Sequence, residues 1–424
     1  MARRRFLGVS LEAAAYGTDT ALAYYVDIAS ASLDTPDSPE LIHPGGLNRF
    51  KKNHQSGMYI PTGNIEFPME ITTFGHLLEM ALGGTVTYTD NTTAVLAESI
   101  GTASGTTHTA TLGTVPVIPG SVTIQTDAPA DVATDDGFGT LVQANASGMA
   151  GTINYTTGAI SITGAVDSTN YEADYSEVNT AGFHNMVIIP SVTDEQKDVT
   201  MSLGKDQLMH TFLGCVNNGV SIAIEKEWVM VTLDVISQKD LSETIATEAT
   251  VLAKMPRPEH GGGNYIPFHK VTAKMVDYGG SLADISTRLE ALTVNINNGG
   301  DGESGVTLGS RHPRRQFLGE AEISGDMTLV FDGENELDDF WGADGAPAAN
   351  GTTEKAIEVT IASPDSIGSI VLSFPKALFQ QVAVQGSGRE RIVQELKWEA
   401  IYDDSVSYIL QATVNSLKNW ESHS

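Results

Sequence analysis

His76 and Glu79 stand three residues apart, the spacing that brings two side chains together on one helix face. A zinc-hydrolase motif needs a second histidine four residues from the first, and position 80 is Met80. The pair therefore reads as a partly exposed helix contact. Asp127, Asp131, Asp135 and Asp136 gather carboxylates as a calcium loop does, but the twelve-position loop closed by glutamate is missing. Turn chemistry is the reading there. Gly261, Gly262 and Gly263 are not followed by the Gly-Lys-Ser/Thr of a phosphate loop and stand among Pro256, Pro258 and Pro267, as a linker does. Cys215 is the single cysteine, which excludes an intramolecular disulfide, and its apolar strand context is that of a buried thiol. Asn91, Asn145, Asn154 and Asn350 each open an Asn-x-Ser/Thr triplet, which carries glycan only in a compartment that makes it. The expectation is a protein that is not an enzyme and takes no cofactor or metal.

Carboxylates repeated with period two offer electrostatics instead of catalysis. One stretch runs from Gly63 through Ile65, Glu66, Phe67, Met69, Glu70 and Ile71, then through Leu77, Leu78 and Leu82 to Gly83. A second runs from Gly319 through Glu320, Ala321, Glu322, Ile323, Asp326, Met327, Leu329 and Phe331, then through Leu337 and Trp341 to Gly342. Side chains of a strand alternate between its faces. Glu66 and Glu70 then share one face against Ile65, Phe67, Met69 and Ile71. Glu320, Glu322 and Asp326 likewise oppose Ile323, Met327 and Leu329. Each phrase opens on glycine, passes through an acidic-faced strand and ends in a short helix, which predicts a duplicated architecture.

The elements around these phrases are β-strands. The chain has 424 residues, 42 of them glycine, with Thr, Val and Ile in short alternating runs, which favours an all-β fold of two or three domains. The spacing predicts two tandem β-barrel or sandwich domains with short helices, plus an inserted small β-sandwich. The first domain takes residues 1–90 and 177–255, the insert 91–176 and the second domain 256–424. The net charge of −29 argues against gripping nucleic acid through its phosphates. No apolar run is long enough for a membrane helix. Arg3, Arg4 and Arg5 precede an apolar run too short for an export signal, so they read as a basic arm touching a neighbouring acidic surface. Arg311, Arg314 and Arg315 form the most basic loop, either solvated or salt-bridged to another subunit.

Several stretches together resemble the major tail tube proteins of long-tailed double-stranded DNA viruses. They are Glu12 to Tyr16-Gly17-Thr18, Gly63 to Phe67 with Leu77 to Gly83, Phe212 to Val216 and on to Val235, and Leu292 to Asn298. Residues 112–175 resemble an immunoglobulin-like decoration of such virions, through Pro119-Gly120 and Gly151 to Gly158. The resemblance implies tail-tube-type barrels that join sheets into rings, three copies of a two-barrel chain replacing six of a single-barrel one. It implies stacking into a tube, assembly in the host cytoplasm, and contacts with tape measure, tail tip and terminator proteins. Double-stranded DNA would pass without specific binding along a bore lined by Glu66, Glu70, Glu320, Glu322 and Asp326. The rival class is a secreted or cell-surface β-sandwich adhesin; a carbohydrate-active enzyme with paired carboxylates ranks third.

Overall fold

The computed structural model describes residues 5–416 apart from 13–15, 21, 23, 37–39, 44–52, 127–131, 138, 145–147, 167, 179–183, 192–196, 206–207, 245–264, 334, 343–352, 365–367 and 386–391. The fold is all-β, and two halves of it repeat one order of elements. The first half runs through strands Arg5–Leu11, Tyr24–Asp27, Ser30–Ala31 and Thr62–Pro68, helix α1 (Ile71–Leu82), then strands Val199–Lys205, Leu208–Ile224, Val229–Ile236 and Lys239–Thr244. The second runs through Val271–Asp277, Ala283–Asp284, Leu289–Asn297 and Glu322–Val330, helix α2 (Asn335–Trp341), then Lys355–Ala362, Gly368–Gln385, Val393–Ala400 and Gln411–Ser416.

In each half one long strand serves two sheets. Leu208–Ile224 pairs through its first part with Val199–Lys205 and Lys239–Thr244, and through its second part with Val229–Ile236. Gly368–Gln385 repeats this with Lys355–Ala362 and Gln411–Ser416, then with Val393–Ala400. Each of these long strands carries an irregularity between its two parts. Gly214 takes the left-handed φ of +59°, followed by a bulge between Asn217 and Gly219. In the other half Pro375, which has no N–H to donate, and a bulge between Phe379 and Gln381 do the same work.

Register settles which residues of the halves correspond. Ile65 lies between Ala31 and Leu233, and Met327 lies between Leu292 and Leu396. Gly63 therefore corresponds to Gly325, six positions beyond the Gly319 that the repeated phrase suggested. Both glycines are required by close approach. A Cβ on Gly63 would sit 2.5 Å from the Leu33 backbone, and one on Gly325 would sit 2.4 Å from the Trp398 ring.

The halves are joined side by side. The second part of Leu208–Ile224 pairs with Leu289–Asn297, from Gly219 opposite Asn297 to Ile224 opposite Leu292. One eight-stranded layer results, in the order Ser30–Ala31, Thr62–Pro68, Val229–Ile236, Leu208–Ile224, Leu289–Asn297, Glu322–Val330, Val393–Ala400, Gly368–Gln385. Its apolar side chains, among them Ile65, Leu233, Ile222, Val294, Ile323 and Trp398, belong to one continuous core. Helix α1 is buried against the long strands of both halves, and Gly83 at φ +58° ends it with its N–H on the Glu79 carbonyl.

Between α1 and Val199 the chain leaves through strand Thr85–Thr89 and returns through His184–Ile189. These two strands pair with each other, and the second also pairs with Gln411–Ser416 of the other half. Beyond them Thr92–Val178 forms a separate sheet of eight strands with its own core around Ile124, Leu141, Ile162 and Tyr171. Asp135 is a turn organiser there: its carboxylate accepts from the N–H groups of Gly120 (2.6 Å) and Gly137 (3.0 Å) and from the Tyr155 hydroxyl (2.7 Å). Asp127, Asp131, Asn145, Asn350 and the Gly261–Gly263 linker lie outside the described residues. The 32–57 loop carries a short hairpin, Glu40–His43 with Asn53–Ser56.

Candidate functional site

The face of the eight-stranded layer turned away from the core is mostly polar. One row across it reads Ser30, Glu66, Thr232, Ser221, Asn295, Ser324, Glu399. A second reads Asn64, Asp234, Gly219, Asn297, Glu322, and a third Met230, Ala223, Thr293, Asp326, Lys397, Gln381. Glu395, opposite Thr328, adds another carboxylate. The alternation has a direct cause. Each strand buries every second residue in the core, so the intervening residues are left to water and need no apolar character.

Hydrogen bonds order this surface. Ser30 Oγ donates to Glu66 Oε2 (2.9 Å), Asn218 Nδ2 to Asp234 Oδ2 (2.6 Å) and Gln380 Nε2 to Glu399 Oε2 (2.9 Å). Ser221 Oγ donates to Asn295 Oδ1 (2.7 Å) across the seam between the halves. Lys397 Nζ lies 3.8 Å from Asp326 Oδ1, both side chains more than half exposed, so the pair is worth little in stability. Of the charged groups in these rows, six are carboxylates and Lys397 is the one cation. The face presents a negative, hydrated wall.

Glu66, Glu322 and Asp326 stand on this face as their alternation predicts. Glu70 does not. The strand ends at Pro68, Glu70 is the residue that caps α1, and Ile71 is already helical. Met69, Ile71, Phe74 and Leu78 follow helical as well as strand spacing, and burial of the helix decided between the two. Glu320 lies two residues ahead of its strand, beside Gly299, and is likewise off the ladder. Register makes Asn64, not Glu66, the counterpart of Asp326. Asp234, Glu395 and Glu399 were missed, although their alternation within 229–236 and 393–400 is of the same kind.

Of the basic residues, Arg3 and Arg4 lie outside the described residues, and Arg5 opens the strand paired with Lys205. Arg311 engages its own chain: Nε donates to the Gly57 carbonyl (2.8 Å) and the guanidinium stands 5.5 Å from the Tyr59 ring centre. Arg314 and Arg315 are exposed on the same loop.

Polar clusters around Glu79, Asp240 and Glu12 tie loops to the layer. His76 and Glu79 are both buried, contrary to the exposed pair expected, because α1 is covered by both halves. Glu79 accepts hydrogen bonds from Tyr88 (3.0 Å) and Lys197, with His76 Nδ1 3.5 Å away. Burial opposes its ionisation, but the hydrogen bonds from His76 and Lys197 and the Lys197 charge outweigh it and bring the carboxyl down to about 2. Asp240 collects Tyr59 (2.7 Å), Thr35 (2.7 Å) and His210 Nε2 (2.7 Å), tying both ends of the 32–61 loop to the sheet. Near the N-terminus, Glu12 accepts from the N–H groups of Gly17 and Gly214, each 2.7 Å. Cys215 is fully buried, and burial pushes its thiol well up. Among the described residues no group of His, Cys, Asp and Glu is arranged to hold a metal, and no helix is long and apolar enough to cross a membrane.

The chain is thus a duplicated all-β protein that presents one acidic sheet face. The model of the phage tail tube protein family matches residues 3–400, and the chain belongs to that family. It is a structural protein of the virion tail that assembles with itself and other tail proteins into a tube. No curated protein sequence matches it.

Proposed function

We propose that three copies close a ring whose bore is lined by the polar face, and that rings stack into the conduit for genome ejection. The observation that carries this reading is the seam between the halves. The layer consists of two equivalent four-stranded units, already joined edge to edge. Its outer edges are equivalent to the two edges that meet at that seam. By register, Val382, Ala383 and Val384 correspond to Val220, Ser221 and Ile222, while Leu33, Asp34 and Thr35 correspond to Val294, Asn295 and Ile296. A neighbour repeating the seam sets Ala383 opposite Asp34 and Val384 opposite Leu33. Ile222 is fully buried at the seam, whereas Val384 is 44% exposed, as a strand edge awaiting the same partner would be.

The family resemblance implies rings of six such units, and a two-unit chain reaches six with three copies, leaving no sheet edge open. The residues 1–90 and 177–255 then supply one unit, 256–424 the other, and 91–176 a decoration outside the tube. The acidic wall repels the duplex and spares it the phosphate contacts that would slow its transit. Tape measure, tail tip and terminator proteins are further partners of such a tube, which assembles in the host cytoplasm. The role is structural, without catalysis. The test replaces Glu66, Glu322, Glu395 and Glu399 with Lys. Tubes still form, and virions carrying them retard or retain DNA, more so at low salt. Ejection at the wild-type rate, or a density map placing these side chains outside the bore, refutes the assignment.

A further inference from the structure

The two ends of the eight-stranded layer each carry exposed apolar side chains that the ring does not use. At one end the 298–321 loop folds on itself through a bridge between Val306 and Pro313. It is pinned to the first half: Tyr59 N–H donates to the Arg311 carbonyl (2.9 Å), and Gln238 Nε2 to the Pro313 carbonyl (3.0 Å). On this fixed platform Leu308 is fully exposed and Phe317 is 45% exposed, with Arg314 and Arg315 beside them. At the opposite end the turn Glu225–Trp228 is braced by the segment after Tyr265. Trp228 bridges Pro267, and Phe268 N–H donates to the Glu227 carbonyl (2.9 Å). Trp228 and Phe268 are each more than two-fifths exposed, and Glu225 and Glu227 are exposed around them, with Lys226 between and Lys270 adjacent.

Large apolar side chains held outward on braced turns mark an interaction surface. The two patches lie at opposite ends of the same strands and differ from each other. A contact between them joins copies head to tail, does not close on itself and propagates as a filament. Arg314 and Arg315 at one end can each pair with Glu225 or Glu227 at the other, although Lys226 and Lys270 dilute the acidity of that second patch. We infer that Leu308, Phe317, Arg314 and Arg315 of one copy dock on Trp228, Phe268, Glu225 and Glu227 of a second copy in the next ring. This rests on the ring reading above and supplies the stacking contact within it.

The test is charge reversal in the full-length chain, read by sedimentation and negative-stain microscopy. Glu225→Lys with Glu227→Lys, and separately Arg314→Glu with Arg315→Glu, leave rings intact and raise the protein concentration needed for tubes about tenfold or more, because each unfavourable contact is repeated around the ring. The quadruple variant restores every pair in reverse and returns that concentration to within about threefold of wild type. Rings whose charge-reversed forms still stack at the wild-type concentration overturn this inference alone, as does a quadruple variant that stays as defective as the doubles. A wild-type chain that forms no rings counts instead against the ring reading on which it rests.

Discussion

Replacing Glu79 with Gln removes the charge at the centre of the buried cluster on α1 while keeping its volume. The carboxyl is brought from 4.5 down to about 2 in the folded chain. At 1.36 kcal/mol per pKa unit, that shift corresponds to about 3 kcal/mol of stability at neutral pH. Lys197, 37% exposed, can turn its ammonium to water when the carboxylate is gone, which trims the cost to about 2–3 kcal/mol. For a domain of this size that is a fall in Tm of about 4–12 °C in the transition of the main sheet. The sign with pH is fixed by the lowered carboxyl. The stabilisation is complete above the unfolded value of 4.5 and is lost as pH falls toward about 2. Thermal melts of wild type and Glu79→Gln should therefore differ fully at pH 7, draw together below pH 4.5 and converge as pH falls through about 2. Equal melting at pH 7, or a difference that stays constant down to pH 2.5, would falsify the account of this cluster.

Gly325→Ala places a methyl 2.4 Å from the Trp398 ring and 2.6 Å from the Thr293 carbonyl, and is expected to cost about 1–3 kcal/mol in denaturant unfolding. A variant as stable as wild type would show that Trp398 shifts freely and that the glycine is not required. Deleting Thr92–Val178 and joining the stem strands through a short turn should leave tubes visible by microscopy, since that segment has its own sheet and core. Failure of the main sheet to fold would count against its being an appended module.

The all-β class, the two halves and the acidic alternation were legible because period two is written locally into each strand. Ile65 and Phe67, or Ile323, Met327 and Leu329, announce their buried face without reference to the rest of the chain. What was not legible is which strands become neighbours. Asp234 and Glu322 share a row through partners scattered along the sequence, so Asp234, Glu395 and Glu399 could be read as alternating but not as one wall. Glycine misled the alignment of the halves, since with 42 of them a nearby Gly319 was always available to match Gly63. Close packing against Leu33 and Trp398, the property that equates Gly63 with Gly325, is visible only in space. The charge of the buried Glu79 likewise depends on Lys197, a partner 118 residues away.

The claim that copies join as the halves do is tested most directly by a cysteine pair at the outer edges. Asp34→Cys and Ala383→Cys replace the counterparts of Asn295 and Ser221, which face each other across the inner seam with side chains in 2.7 Å contact. Directly opposed residues of paired strands lie within disulfide reach. The native Cys215 is fully buried and stays out of the reaction. Mild oxidation of assembled protein, followed by denaturing electrophoresis, should give chains linked in twos and threes and nothing longer. Linkage that continues to six, an unbounded ladder, or no linkage at all would contradict the three-copy ring.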